Sequence, residues 1–441
     1  MHSNYAGQWA FNAARAVAIP GLFCLAALCA LSHSASARQA TAQVVMSGLN
    51  NPRGLAFAPD GSLYVTEAGT GAVGTGVSSP ATVLGISGDT TAYGATSSLS
   101  RYTNGIQSRV LTGLPSLAVN TDNGPQQPAG NGATGLQNIT FVGDQAYGVI
   151  GSPGAGNERA ALNTSAANNG VAGTPGNKFG RLVQLNLGAT PSANYLADFV
   201  PVETSTNPDG GDVNSNPYGI TSVGGKLVVV DAGANVLWNI GSDLTTVSLS
   251  TIIPPQSNPL FPTSGGPNYQ AVPTSVALSP KGVLFVSELG GYPFKQGGAT
   301  IYTVPSAGGT PTPLASGFTT AINLTFGPDG QLYVLDLTQN GLGPEATTGP
   351  GGGQLYRVDP ATGAKTLISV TLPAAPGGLL FSTGMAFAPD GSLYVSNLGT
   401  SPGGGQVLRL TGVVAVPEAN AGLLALVGGA VLLTVRRARR E

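Results

Sequence analysis

The feature that most constrains this chain is a word that occurs once near each end. Gly54-Leu-Ala-Phe-Ala-Pro-Asp-Gly-Ser-Leu-Tyr-Val65 returns as Gly384-Met-Ala-Phe-Ala-Pro-Asp-Gly-Ser-Leu-Tyr-Val395, with Met385 for Leu55 as the one difference. Weaker copies run over Asn138–Val149, Gly219–Val230, Ser275–Val286 and Asn323–Val334, making six in all. Each sets two alternating apolar runs around an Asp-Gly or Gly-rich turn, which is the signal of a β-hairpin. One hairpin cannot bury its own apolar faces, so the copies must pack on one another.

Two further β-like runs follow the hairpins, for example Thr300–Val304 and Thr312–Ala315, or Gln354–Val358 and Lys365–Val370. Four strands per unit is the pattern of a propeller blade. The last unit ends after its third strand, Gln406–Leu410, whereas Gln43–Leu49 precedes the first hairpin and matches the fourth strand Arg109–Leu114 in pattern. The expectation is an all-β, six-bladed β-propeller of four-stranded blades. An N-terminal strand joins the last blade and closes the ring, and the terminal hydrophobic helices lie outside it. A parallel solenoid is the alternative, but it gives no displaced fourth strand. Gly69–Ser98, Ala118–Gly135 and Pro153–Asn177 are rich in Gly, Asn, Ser, Thr and Pro and read as long loops with little core of their own.

The ends read differently. Val17–Leu31 is an apolar run after Arg15, and Ala35-Ser36-Ala37 supplies the small-x-small pattern of signal peptidase, so 1–37 is expected to be a secretory signal. At the other end stand Val416-Pro417-Glu418, an apolar run over Ala421–Val435, and then Arg436, Arg437, Arg439 and Arg440. That is a short span with a basic cytoplasmic flank. It resembles the PEP-CTERM sorting signal, which an exosortase recognises in polysaccharide-exporting Gram-negative bacteria, except that Ala419 stands where a second proline is expected. The expected organisation is a signal over 1–37, a propeller over 38–412 and a sorting segment with a short transmembrane helix over 413–441. The resemblance implies signal peptidase and an exosortase-type enzyme as partners. It implies an inner-membrane-anchored precursor, touching the membrane through its C-terminal helix, that then passes to periplasm, cell surface or extracellular matrix.

Charge and residue usage narrow the chemistry. Only 9 % of residues are charged and the net charge is −2, which leaves no basic surface for nucleic acid. Cys24, Cys29, His2 and His33 are the only cysteines and histidines, and all lie within the signal. The exported body therefore has no Ser-His-Asp triad, imidazole base, thiolate or ordinary zinc site. Catalysis would have to rest on carboxylates, lysines, tyrosines or a hard cation.

In a ring of such blades, the start of the innermost strand and the end of the second strand share one mouth. The first set is Arg53, Gln137, Tyr218, Thr274, Ile322 and Thr383; the second is Glu67, Ile150, Asp231, Glu288, Asp336 and Asn397. Five members of the second set are acidic or amide. They either face a ligand or accept hydrogen bonds from the neighbouring loop and hold strands together. Asp209, Asp212, Asn214 and Asn216 alternate in one loop as oxygen ligands for Ca²⁺ would, although an Asx-rich loop explains them without metal. Ca²⁺ is the one cofactor these residues suggest; none is assured. Asn138-Ile-Thr140, Asn163-Thr-Ser165 and Asn323-Leu-Thr325 match the glycosylation pattern, and two of them fall on expected inner strands.

Most of 43–412 resembles the ScyD/ScyE family of NHL-like six-bladed bacterial propellers, through Asn51-Pro-Arg-Gly-Leu-Ala-Phe-Ala-Pro-Asp-Gly61, Arg109-Val-Leu-Thr-Gly-Leu-Pro-Ser-Leu117, Ser215-Asn-Pro-Tyr-Gly219 and Val230-Asp-Ala-Gly-Ala-Asn235. The resemblance implies a fold and export, and supplies no catalytic residues. The expected function is an exported, surface- or matrix-associated binding or scaffold module, with extracellular polysaccharide, a matrix protein or a small molecule as ligand. The alternative is a Ca²⁺-dependent lactonase or esterase similar to the gluconolactonase-type propellers, which the carboxylate-free inner set does not favour. A quinone-dependent sugar dehydrogenase would need a histidine base that the body lacks.

Overall fold

The computed structural model describes residues 38–414 except 78–79, 85–89, 123–126, 155 and 373–377. The expected signal 1–37 and nearly all of the sorting segment, including Val416, Pro417, Glu418 and the arginines after them, lie outside the described residues. Among the described residues no helix is long and apolar enough to cross a membrane.

The chain is all-β and propeller-like. All six repeated words form antiparallel hairpins: Pro52–Phe57 with Leu63–Glu67, Leu136–Val142 with Gln145–Ile150, Pro217–Val223 with Lys226–Asp231, Pro273–Leu278 with Val283–Glu288, Ala321–Phe326 with Leu332–Asp336, and Gly384–Phe387 with Leu393–Asn397. The turns use the expected chemistry, since Gly61, Gly330 and Gly391 all adopt a positive φ that a side chain would strain. Third and fourth strands extend the hairpins into sheets, among them Ala299–Pro305 with Thr312–Phe318 and Gln354–Val358 with Lys365–Thr371.

The first strands of the hairpins form a closed circuit. Pro52–Phe57 packs beside Leu136–Val142, then Pro217–Val223, Pro273–Leu278, Ala321–Phe326 and Gly384–Phe387 follow in order, and the last returns to Pro52–Phe57. The core is divided among the spaces between consecutive sheets. Tyr64, Leu99, Leu136 and Val183 share one such space, Val149, Ile220 and Trp238 the next, and Leu55, Val65, Tyr394 and Val407 join the two ends of the chain. The repeated word explains part of this packing. The tyrosine of one hairpin meets the phenylalanine of the next, edge to face for Tyr333 with Phe387 at 4.8 Å and Tyr394 with Phe57 at 5.3 Å, and tilted for Tyr64 with Phe141 at 5.4 Å.

The N-terminal strand Arg38–Leu49 pairs antiparallel with Gly405–Thr411, with Val44 opposite Leu408. It also does something the sequence did not lead one to expect. Arg38 to Thr41 run parallel to Ile368 to Thr371, which fuses the last two hairpin units into one eight-stranded sheet.

Two of the expected loops are corrected. In the segment 153–177 a helix forms over Gly156–Asn168, and its Leu162 and Ala166 are fully buried against Ala81 and Val83. These residues sit one helical turn apart and so share a face. In the segment 69–98, Thr90–Thr103 is a long strand paired with Ile106–Val119, and Thr82–Leu84 adds to its other edge.

Candidate functional site

The innermost strands of five hairpins carry the same irregularity. The pairing slips between Leu136 and Asn138, Pro217 and Gly219, Pro273 and Ser275, Ala321 and Asn323, and Pro52 and Leu55. The extra residues are Gln137, Tyr218, Thr274, Ile322 and the pair Arg53-Gly54, so most of the first expected set falls on bulges. A bulge re-aims the side chain it carries.

These side chains are spent on the protein itself. Arg53 is buried and donates to Gln137 Oε1 at 3.1 Å, to the Ala133 carbonyl at 2.8 Å and to the Gly399 carbonyl. Burial lowers its pKa, partly offset by Tyr218 nearby. Thr274 donates to the Ala321 carbonyl at 3.0 Å and Thr383 to the Pro52 carbonyl at 2.7 Å, tying neighbouring innermost strands. Tyr218 is half-buried with Leu289 and Phe381 against Ile322 and Leu337.

The second set also accepts bonds. Glu67 is fully buried and takes the Asn50 N–H at 2.7 Å, the Ser100 hydroxyl at 2.6 Å and both arms of Arg109 at 2.8 and 2.9 Å. Asp231 takes the Ser215 hydroxyl, three backbone N–H groups and the Trp238 indole N–H, although burial still raises its pKa. Asn397 Oδ1 accepts from the Leu380 N–H and the Ser382 hydroxyl, and Ile150 is a fully buried apolar residue. Asp336 has one oxygen on the Thr319 N–H at 2.9 Å and one with no partner, and burial pushes its pKa up to about 7. Glu288 has no partner on either oxygen, and burial pushes it up to about 8 with Thr300, Gln256 and Tyr302 around it.

A cavity of about 470 Å³ lies instead along the half of the innermost strands nearer the hairpin turns, lined by residues of all six. Its polar lining is Asn138, Thr140, Thr221, Ser222, Ser275, Asn323 and Thr325, and its apolar lining includes Phe141, Phe326 and Met385. No titratable side chain is among the lining residues. Asn138, Ser275 and Asn323, each the third residue of its strand, are in the lining, whereas Gly54 and Gly219 at the same place in their strands, and Gly384 at the start of the last, are glycines. Glycine is needed where strands crowd, since a Cβ at Gly219 would lie 2.7 Å from the Thr274 carbonyl oxygen. Asn138 and Asn323 stand three strands apart in the circuit of six and hence on opposite sides. Asn138 Oδ1 accepts from the Ile139 N–H at 2.8 Å, whereas Asn323 Oδ1 is buried and has no partner.

Asn138 and Asn323 are two of the glycosylation-pattern residues, and the first expected set stands one residue earlier, at Gln137 and Ile322. In a strand, one residue is the difference between the two faces.

Of the four expected Ca²⁺ ligands, Asp212, Asn214 and Asn216 line one small cavity with Gly233 and Gln270. Asp209 is held by the Gly211 N–H and Asn235 Nδ2, and Asn216 Oδ1 accepts from the Ser152 N–H. Among the described residues no three His, Cys, Asp or Glu side chains gather as metal ligands.

No family model matches the chain, and no curated protein matches it. Among solved structures it is similar to a streptogramin B lyase at 12 % identity and TM-score 0.43, over 84 % of this chain and 97 % of that one. An aldose sugar dehydrogenase from Streptomyces coelicolor gives 15 % and 0.43, over 84 % and 98 %. A protein of unknown function from Bacteroides thetaiotaomicron gives 8 % and 0.48, over 84 % and 75 %.

Proposed function

We propose that the chain is an exported binding protein of the ScyD/ScyE type that acts without catalysis at the cell surface or in the extracellular matrix, and that the channel inside its ring takes a neutral, hydroxyl-rich ligand such as a stretch of extracellular polysaccharide. The observation that carries this reading is the channel lining: amides and hydroxyls interspersed with apolar side chains, and no group able to act as general acid, base or nucleophile. Its volume falls within the range of small-ligand sites. Neutral donors and acceptors match sugar hydroxyls, which offer both, and cost less to desolvate than charges.

The fold reading behind this proposal is a six-bladed propeller. The eight-stranded sheet then counts as two four-stranded blades joined at the parallel contact of 38–41 with 368–371, Arg38–Leu49 closes the last blade, and Thr82–Leu84 is an added edge strand. Export through a cleaved signal and retention through the C-terminal segment are part of the same proposal, and the arrangement of the two ends in the sequence is their support.

The test is calorimetric titration of the full chain with neutral oligosaccharides of several linkages, repeated with Asn323→Ala. Binding by at least one sugar is expected, weakened about tenfold by the loss of one amide contact, or ~1.4 kcal/mol. Equal binding by the variant would move the site out of the channel, and turnover of a lactone or ester by the wild type would overturn the non-catalytic reading.

A further inference from the structure

Exposure changes in the same sense along all six innermost strands. Each begins buried and ends half-buried at its hairpin turn, with Tyr218 the one half-buried side chain near a start. The cavity lies toward the turns, and at the other end Arg53, Gln137, Thr274, Ile322 and Thr383 are buried and outside its lining. Solvent therefore reaches the channel from the turn side.

The layer at the far end spans the ring. Tyr218 stands on the third innermost strand, yet it packs against an apolar cluster drawn from the fifth and sixth units and the N-terminal strand, in which Ile322, Leu337 and Met385 are buried. The fifth strand is two places and the sixth three places along the circuit from the third, so Tyr218 reaches into the middle of the ring. Leu289 and Phe381 pack on the same cluster. Arg53 reaches from the first strand to Gln137 Oε1 on the second and to the Gly399 carbonyl beyond the sixth. Thr274 ties the fourth strand to the fifth, and Thr383 ties the sixth to the first. Met385 belongs both to the cluster and to the cavity lining, which makes the cluster the floor of the cavity. Close packing and satisfied hydrogen bonds leave no passage through such a layer.

We propose that the channel is a socket, floored by Tyr218, Arg53 and Ile322, that receives the free end of a neutral polysaccharide chain from the hairpin-turn side and excludes the interior of the chain. This narrows the sugar-binding reading, on which it rests, from a stretch of chain to a terminus. The interior of a polymer can occupy a channel only by entering at one mouth and leaving at the other, or by doubling back, which needs twice the width. An end needs one opening. A cavity of about 470 Å³ has the size of a compact small-ligand site, which suits the last few sugar units and not a long run of them. A terminal unit also carries a hydroxyl that an interior unit has spent on its linkage, and the amides and hydroxyls of the lining, Asn138, Ser275 and Asn323 among them, can hydrogen-bond to it. The protein then sits on the ends of matrix chains, one copy to an end.

The experiment is a calorimetric titration of the full chain with linear neutral glucans of several linkages, each in a series of chain lengths, and with cyclic glucans of the same linkages. For the linkage that binds, the number of protein molecules held per glucan chain should stay constant as the chains lengthen. The ring form, which has no end, should bind at least about tenfold more weakly than the linear form of equal size. Asn323→Ala should weaken binding by a similar factor at every length, which ties the signal to the channel. A stoichiometry that grows in proportion to chain length overturns the socket, as does a ring that binds as tightly as the linear form; either result leaves the sugar-binding reading standing. End-dependent binding that Asn323→Ala leaves unchanged places the ends elsewhere on the molecule and also overturns it. Binding by no glucan of any linkage or length removes the sugar-binding reading and the socket together.

Discussion

Glu67 and Glu288 occupy the same place in the repeat, at the end of the second strand of a hairpin, and both are fully buried. Glu67 is held by Asn50, Ser100 and Arg109, while neither oxygen of Glu288 makes a well-formed hydrogen bond and only weaker contacts with Thr300, Gln256 and Tyr302 oppose the effect of burial. The difference begins in the loop before the innermost strand. In the first unit the Asn50 N–H turns onto Glu67, and in the third the Asn216 N–H, just before Pro217, turns onto Asp231. In the fourth unit the Val272 N–H, just before Pro273, donates instead to Asn235 Oδ1 at 2.9 Å. Glutamate at the same place is therefore a fastener in one unit and a poorly supported acid in another, and the difference lies in which donors the neighbouring loops and strands bring to it: Asn50, Ser100 and Arg109 in the first unit, and no well-formed hydrogen bond in the fourth.

The sharpest way to break this comparison is to remove the fastener. Glu67→Ala strands the Arg109 guanidinium, the Asn50 N–H and the Ser100 hydroxyl together. The expected loss of stability is about 2–4 kcal/mol, held to that range because the Arg109 side chain is 40 % exposed and can turn to water. Urea unfolding would measure it, and a loss under about 1 kcal/mol would show that the contacts are not what holds this loop.

The uncompensated partner should show itself through pH. An ordinary glutamate ionises near 4.5, and folding holds Glu288 protonated up to about 8. Between those values the unfolded chain has released a proton that the folded chain keeps, so the contribution is fully present below about pH 4.5 and is lost as pH rises through about 8. Glu203 and Asp336 act in the same direction but finish near 7. Between 7 and 8 Glu288 itself should contribute a loss of about 1 kcal/mol, and buried Asp231, whose pKa is also raised, acts in the same direction. Glu288→Gln should flatten that interval; an unchanged slope would mean that this carboxyl is already solvated or paired.

These contrasts bear on what the sequence made legible. The hairpins were visible because alternation and Asp-Gly turns are local, and Phe57, Tyr64, Phe387 and Tyr394 carry the same contacts in each copy of the word. The helix Gly156–Asn168 was not visible, since its Asn, Ser and Thr content looks like a loop and only Arg159, Leu162 and Ala166 turn inward. The parallel contact of Arg38–Thr41 with Ile368–Thr371 depends on residues far apart in the chain, with no motif of its own. The second set was found in place but not in character, because residue type does not reveal where a backbone N–H points. Asn138 and Asn323 in the cavity lining stand one position after Gln137 and Ile322 of the first set, and the offset is not legible in sequence: a bulge is a two-against-one count between strands, and Gln137 and Ile322 look no different from residues in regular pairing.

The smallest test asks whether the Glu67 fastener works through charge or through shape. Arg109 reaches Glu67 with Nε and Nη2 at once, and the same Nη2 also donates to the Gly48 carbonyl at 2.9 Å. Lysine keeps the charge but not the planar fork, so Arg109→Lys preserves attraction while removing the two-armed geometry. Exposure on the arginine side keeps the expected cost to about 0.5–1 kcal/mol. If shape is what matters, that cost should persist at high salt, because the lost fork is a matter of hydrogen-bond direction and salt screens only charge. A cost that vanishes with added salt would assign the fastener to simple ion pairing. The contrast with Glu288 would then rest on the Asn50 and Ser100 donors alone.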